Sequence, residues 1–499
     1  MKMNYIKFLV PVLAITLTSC IKDSRKQNSK TGFTKVENVT MVASDFDKSY
    51  APSLGDVKML VIPITFVGEA RDVSEFKYQD WTEAKIHEVE GYYFGEEDSL
   101  ASYYATASLG QLNVTGKVTA IYENSTIKTS RILNSYNALF SMIRDAVNWV
   151  HENDNTINWS EYDLNQDGCI DSVHLITNYV STEWGETLWP HKYNTNYHGT
   201  VEWPMANVYS ISSTGFMNNA ITGIHEQGHI FGLDDYYDYT SQGDGTSDGI
   251  DYVGQFDMQS SNVFDWNSYS KLSMGWVKPY VINGEAEETT ITIKAASLNG
   301  DCILVPADYS KWNGSAFDEY FLLEYFAPYG NNEKDWRDYR DVLGSTGGVR
   351  LYHVDARVYG SDTTDPQNSD VLIVDDMDAQ LIKTEEDVSK WDYVTKGCNN
   401  SVDYKDYEGG IAQLKDHQLL SIVQKGGVST FTQYNGRHML NATDLFKQGD
   451  TFTWEKYSKF LNKQAKSQEL TNKGEEFPYE FEITELTKDS VTIEITKVK

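Results

Sequence analysis

The chain has 499 residues and a formal net charge of −31, from 42 Lys and Arg against 73 Asp and Glu. Such a surface repels nucleic acid and anionic lipid, and no basic stripe with interleaved aromatics offsets it, so nucleic-acid binding is excluded. Hydrophobic content of 40% with 13% aromatics excludes wholesale disorder, and the length predicts two or three domains.

In chain order, MKMNYIKFLVPVLAITLTSC (1–20) comes first. Lys2 and Lys7 give a positive start, and the apolar stretch Phe8 to Leu17 is too short to span a bilayer. The composition therefore predicts a secretory signal over 1–19 and not a membrane helix. Leu17-Thr18-Ser19-Cys20 is similar to a bacterial lipobox. That likeness implies a lipidated Cys20 and a protein anchored to the cell envelope, at the outer membrane or cell surface. Residues 20–55, polar and rich in Lys, Ser and Asn, read as a tether with a short ordered lead-in. Beyond Cys20, Cys169, Cys302 and Cys398 are an odd set that closes at most one disulfide.

VKMLVIPITFV (57–67), nearly all β-branched or apolar, predicts a buried strand. A helical stretch containing GYYFGEEDSLASYYATASLG and a strand QLNVTGKVTAIY follow. YNALFSMIRDAVNWVHEN (136–153) carries Ala138, Ile143, Ala146 and Val150 at helical spacing. Alternating strands and helices up to about residue 280 predict an α/β unit. Beyond it, residues 289–296, 319–326, 347–355, 429–434 and 489–498 are strand-like between Gly, Asn and Asp turns, which predicts a β-rich, sandwich-like remainder.

The segment GIHEQGHIFGLDDYYDY (223–239) carries the chemistry. His225 and His229, four apart, leave one face of a helix one turn apart, a spacing that lets both Nε2 atoms reach one zinc ion. Glu226 lies beside the first of them, placed to take a proton from a metal-activated water without ligating. Gly232 permits the positive φ that ends the helix and turns the chain back, which brings Asp235 under the metal as third ligand. Three ligands leave one position open, as in catalytic zinc sites.

The pattern H-E-x-x-H-x-x-G-x-x-D resembles the metzincin clan and, within it, the M6, or immune inhibitor A-like, metallopeptidases. Gly232-Leu233-Asp234-Asp235-Tyr236-Tyr237-Asp238 resembles that family's continuation, with Asp234 where proline is usual and Asp238 as a competing ligand. Residues 99–118, 163–171, 188–192, 254–276, EYFLLEYF and GGVRLYHVD follow the family's order, so the likeness covers most of 57–360. It implies an α/β (α+β) metzincin-like catalytic domain over 56–280 and a mostly β C-terminal region over 281–499. It also implies a methionine turn beneath the zinc, with Met258 as candidate, and peptide substrate along an edge strand. Ser260 stands where several metzincins have a tyrosine that steadies the oxyanion. Tyr237, Tyr269, His191 and His353 remain alternatives for that role.

DLNQDGCIDSVH (163–174) places Asp163, Asn165, Asp167 and Asp171 at alternating positions around Gly168, the arrangement a calcium ion needs. His174 stands at the twelfth position, and SVHLIT reads on as strand, so no EF-hand is expected. An Asx-rich turn without metal is the competing reading. The combined expectation is a lipid-anchored zinc endopeptidase acting on protein or peptide substrates, with structural calcium. The rival is a non-catalytic metal-containing lipoprotein that binds a host protein or glycan.

Overall fold

The computed structural model describes residues 31–45, 49–217, 220–237, 251–356, 419–428, 430–431, 439–458, 470–471 and 473–499, with the backbone of two short strands besides. The predicted signal, Cys20, Asp238 and Cys398 lie outside the described residues.

After β1 (Phe33–Lys35) comes β2 (Gly55–Phe66), in which Met59 to Ile64 are all buried. Burial on both faces explains the missing alternation: Val57, Met59 and Val61 enter one core, and Leu60, Ile62, Ile64 and Phe66 another. The aromatic stretch that follows divides into α1 (Glu83–Phe94) and α2 (Leu100–Ala107), the second opened by a capping box on Ser99. Then come β3 (Leu112–Val118), β4 (Tyr122–Asn124), α3 (Thr129–Ile132) and α4 (Tyr136–Asn153). α4 covers the span that its periodicity predicts and buries Ala138, Ile143, Ala146 and Val150. β5 (Val173–Thr177), β6 (His191–Asn194) and β7 (Val208–Ser213) complete the first sheet and lead to α5 (Ile221–Ile230).

That sheet runs β3-β2-β5-β7-β6. Its first four strands are parallel, and β6 closes the edge antiparallel to β7. α4 packs on one face and α1, α2 and α5 on the other, each against its own apolar cluster. β6 and β7 escape a sequence reading, because HKYN and VYSISS are too polar to show a hydrophobic period.

The chain continues through α6 (Met258–Ser261), α7 (Ser268–Ser273), β8 (Tyr280–Ile282), β9 (Glu288–Lys294) and α8 (Ala296–Asn299). Next are β10 (Cys302–Val305), β11 (Glu319–Phe326), α9 (Asn332–Asp338), α10 (Arg340–Leu343) and β12 (Gly348–Asp355). The described strands end with β13 (Tyr359–Gly360), β14 (Val371–Leu372), β15 (Leu420–Ile422), β16 (Thr451–Phe452), β17 (Tyr479–Leu486) and β18 (Ser490–Lys497). Four of the five predicted β segments fall on β9, β11, β12 and β18. In the fifth, 429–434, Thr430 and Phe431 lie outside any strand and the other positions outside the described residues.

A second sheet, β1-β8-β10-β11-β12-β15, packs on a third, β16-β17-β18-β9. Ile303, Phe321, Leu323 and Leu351 face Ile291, Phe481 and Ile493 between the two, so this half is a β-sandwich. The opposite face of the second sheet, with Leu304, Leu322 and Tyr352, joins the cluster that holds Val57, Trp266 and Trp276. Residue 280, the expected end of the first unit, opens β8, so one core runs through the boundary read from sequence. The expected tether is partly built in: β1 pairs with β8, and Tyr50 and Ala51 are buried. The chain is therefore a mixed α+β structure of several sheets and helices.

Candidate metal centre

α5 lies against β6 and β7 and carries the His-Glu-x-x-His segment. His225 and His229 leave it on one face, with ring centroids 4.7 Å apart. The helix stops as a Schellman motif: Gly232 N–H donates to His229 O at 3.0 Å and Leu233 N–H to Gly228 O at 3.0 Å. Gly232 has φ +93°, and a Cβ there would come within 2.8 Å of the Tyr50 ring, so glycine is required twice over. The reversed chain then brings Asp235 back to the imidazoles.

His225 Nε2 lies 3.1 Å and His229 Nε2 3.5 Å from Asp235 Oδ1, and the two Nε2 atoms are 3.1 Å apart. Each ring donates its other nitrogen to backbone: His225 Nδ1–H to Met258 O at 2.8 Å, His229 Nδ1–H to Leu233 O at 2.6 Å. These bonds fix the tautomer that leaves the Nε2 lone pairs facing the carboxylate oxygen. A tetrahedral zinc with ~2.1 Å bonds has ligand–ligand edges of ~3.4 Å. The three observed separations fit that triangle, and the nitrogen and carboxylate donor set suits zinc. Among the described residues, no other group of three His, Cys, Asp or Glu gathers its donor atoms within 4.8 Å.

The electrostatics agree. Burial works to raise the Asp235 carboxyl, but the two imidazoles, His229 first, outweigh it and hold it far below the usual carboxylate range. Burial likewise works against a charged His225, yet its contact with Asp235 raises it above the ordinary histidine value. The carboxylate and the two imidazoles thus stabilise one another's charged forms in a buried corner.

Glu226 is 7% exposed beside His225. Its charge acts on both Tyr93 and His191. The carbonyl of Met258, the expected methionine-turn residue, anchors His225, while its side chain is buried in the core. Asp257 caps that turn by accepting from Gln259 N at 2.9 Å and from Asn267 N and Nδ2, both at 2.8 Å. Gln259 O accepts from Tyr236 N at 2.9 Å, which ties the turn to the ligand segment. Gly228 lets Gln259 approach, since a Cβ there would fall 2.2 Å from its Oε1.

Of the alternatives for oxyanion stabilisation, His353 pairs with Glu319 at 2.9 Å within the second sheet. His191 bonds Trp189 O at 2.7 Å and Tyr209 Oη at 3.2 Å, and burial lowers its pKa. Tyr269 is buried against Tyr236, and its hydroxyl is pushed up by burial and by Asp234. Tyr237 bridges Asp251 through its backbone, and Ser260 donates to the Asp251 carboxylate.

In the 163–171 loop the predicted ligands hold the backbone. Asp163 accepts from Asp167 N and Gly168 N, both at 3.0 Å, and Asn165 Oδ1 from Asp167 N at 3.1 Å. Asp167 accepts from Cys169 N and Asp171 from Leu164 N, both at 2.8 Å. Burial, then the charges of Asp163 and Asp167, push Asp171 up to about 7. The carboxylates thus feel one another without gathering as tightly as the imidazole site. Cys169 is pushed up to about 12 by burial and Asp167, and is no reactive thiolate.

Sequence reasoning misses the far side of the motif helix. Gln227 Oε1 accepts from His174 Nε2 at 2.8 Å and from Ser172 Oγ at 2.7 Å, while Tyr93 Oη meets His174 Nδ1 at 3.2 Å. Nothing local signals a partner 53 residues away. Gly228, a glycine inside a helix, is the one visible cue that something packs close. No helix among the described residues is long and apolar enough to cross a membrane. Compared with known proteins, the chain matches no family model and no curated sequence.

Proposed function

We propose that the protein is a zinc-dependent endopeptidase of the M6, metzincin-like type, held at the cell envelope by a lipid on Cys20. The observation that carries this reading is the convergence of His225, His229 and Asp235 within 3.1–3.5 Å, with Glu226 buried beside them. His225, His229 and Asp235 would hold the ion. Bound there, zinc supplies Lewis acidity, polarising a carbonyl and lowering the pKa of a water toward ~7.

The rest is work for this chain's own groups. The Glu226 carboxylate accepts a proton from the attacking water and returns one to the leaving amine nitrogen. An extended peptide would lie along β6, which among the described residues is the antiparallel edge strand of the first sheet and packs beside α5. The loop from Asp163 to Asp171 would take structural calcium, whose charge would offset the burial and, after it, the repulsion from Asp163 and Asp167 that raise Asp171.

The test is hydrolysis of casein or a peptide library by wild type and Glu226→Gln, with zinc measured in both. Zinc at one equivalent in each, with turnover in wild type alone, is the expected result; the loss is about 10²–10⁴-fold for a general base. Equal cleavage by the two removes Glu226 as base. Zinc held without any hydrolysis turns the reading toward a binding lipoprotein.

A further inference from the structure

The second sheet reaches the floor of the metal centre through one buried ion pair. Glu324 on β11 and Arg350 on β12 are register partners, 1% and 2% exposed. Arg350 Nε and its NH2 nitrogen each lie 2.5 Å from Glu324 Oε1, and Tyr352 Oη donates to the same oxygen at 3.1 Å. The guanidinium stacks over Phe326, 3.9 Å from the ring centroid. Its NH1 donates to Phe256 O at 2.9 Å. Two residues further on, Met258 O accepts the Nδ1–H of His225 at 2.8 Å.

Glu324 works on the same floor from the other side. Its Oε2 accepts from Ser268 N at 2.8 Å and Ser268 Oγ at 2.5 Å, at the start of α7. α7 supplies Ser270, whose Oγ is 2.5 Å from the hydroxyl of Tyr236, the neighbour of Asp235. One pair therefore grips two segments, one ending at the carbonyl that orients His225 and one beside the residue that carries Asp235. A buried pair is weak evidence for stability as such, since apolar residues of similar volume often stabilise equally well. Its outward hydrogen bonds, Arg350 NH1–H to Phe256 O and Ser268 N–H to Glu324 Oε2, instead fix where two backbones lie.

We infer that Arg350 and Glu324 are positioning residues for the metal centre: the β-sandwich sets the 256–258 turn, and so the imidazole of His225, through them. The inference rests on the metal reading of His225, His229 and Asp235. It makes the C-terminal half a part of the site's framework and not an appended module.

The test is cobalt(II) and zinc binding by the full chain, followed by cobalt absorption and competition with a chelator. It compares wild type, Arg350→Lys, the double variant Glu324→Met with Arg350→Met, and His353→Gln. The double variant removes both charges, so no lone buried ion unfolds it. His353→Gln breaks the other buried pair on the same strands and reports what mere destabilisation does. Expected is a folded double variant whose metal affinity falls by up to roughly 10-fold, the low end of what losing a direct outer partner of a ligand costs, because the pair acts one step further out, with a changed cobalt spectrum. Arg350→Lys should fall between, and His353→Gln should bind as wild type does. A folded double variant with affinity within about 2-fold of wild type overturns the inference and leaves the metal reading standing. A wild type that binds neither ion overturns the metal reading, and the inference with it.

Discussion

The His225–Asp235 corner and the Asp163–Asp171 loop use similar materials to opposite ends. Each turns on a glycine at positive φ, Gly232 at 93° and Gly168 at 80°. Each brings acids back toward a preceding segment. In the corner, backbone satisfies backbone, and the imidazole Nδ1–H groups also go to carbonyls, so the Nε2 atoms and a carboxylate oxygen aim at one point. In the loop, the carboxylates themselves accept the backbone N–H groups. The difference is in which groups satisfy the turn. Where the side chains do so, the loop keeps its shape by itself and a cation adds to it. Where they do not, three donor atoms lie within 3.5 Å of one another, a set that a shared proton or a bound cation would hold together.

The comparison is most exposed at Asp235. Asp235→Ala removes the only carboxylate of the donor triangle and is expected to lower zinc affinity by more than ~100-fold, beyond the cost of losing an outer partner. Zinc content after dialysis against a weak chelator measures it. Retention of stoichiometric zinc would mean that the triangle is a proton-sharing cluster, and the two regions would no longer differ in kind.

His174 belongs to both regions, as the twelfth residue of the acidic motif and as the partner of Gln227 on the motif helix. Full burial lowers its pKa to about 4, with the Gln227 hydrogen bond opposing the shift only in part. A histidine depressed in the folded state contributes stability that is present above its ordinary value near 6.5 and is lost as pH falls toward 4. The loss amounts to about 3 kcal/mol once both values are passed. Urea unfolding of wild type and His174→Asn between pH 7.5 and about 3.5 isolates it, because other acid-sensitive groups are common to both. The variant should be less stable at neutral pH and fall less steeply below it. Parallel curves would show that His174 takes up its proton as readily in the fold as in the unfolded chain, so that burial does not depress it.

The corner was legible in sequence because its parts are local: a helical spacing, a helix-ending glycine and an acid six residues past the second histidine. α4 was legible for the same reason, since one periodic stretch makes one helix. What could not be read is long-range. β6 owes its strand to β7 and to its place at the sheet edge, and its own residues carry no period. The floor of the centre is held by Arg350 from 94 residues beyond Phe256, and in sequence Arg350 is only a charge inside a strand-like run. The expected boundary near 280 was read from a change of pattern, from alternating strands and helices to mostly strand-like segments. A change of composition does not reveal that one apolar cluster continues across it.

The smallest effect belongs to the acidic loop. Asp163 is fully buried and accepts from two backbone N–H groups, so Asp163→Ala leaves Gly168 N–H unmet and Asp167 N–H with Asn165 Oδ1 alone, and costs about 1–3 kcal/mol. Melting temperature should fall by several degrees, while zinc content and turnover per folded molecule stay at the wild-type level, because no ligand of the corner moves. Each carboxylate oxygen that accepts one N–H keeps a second lone pair, and that is what a hard cation would use. Millimolar calcium should therefore raise the wild-type melting temperature relative to chelator and leave that of Asp163→Ala unchanged. A wild type indifferent to calcium reduces the loop to an Asx turn. A variant that loses zinc along with stability would show that the loop and the corner are one cooperative unit, and that they differ only in which atoms face inward.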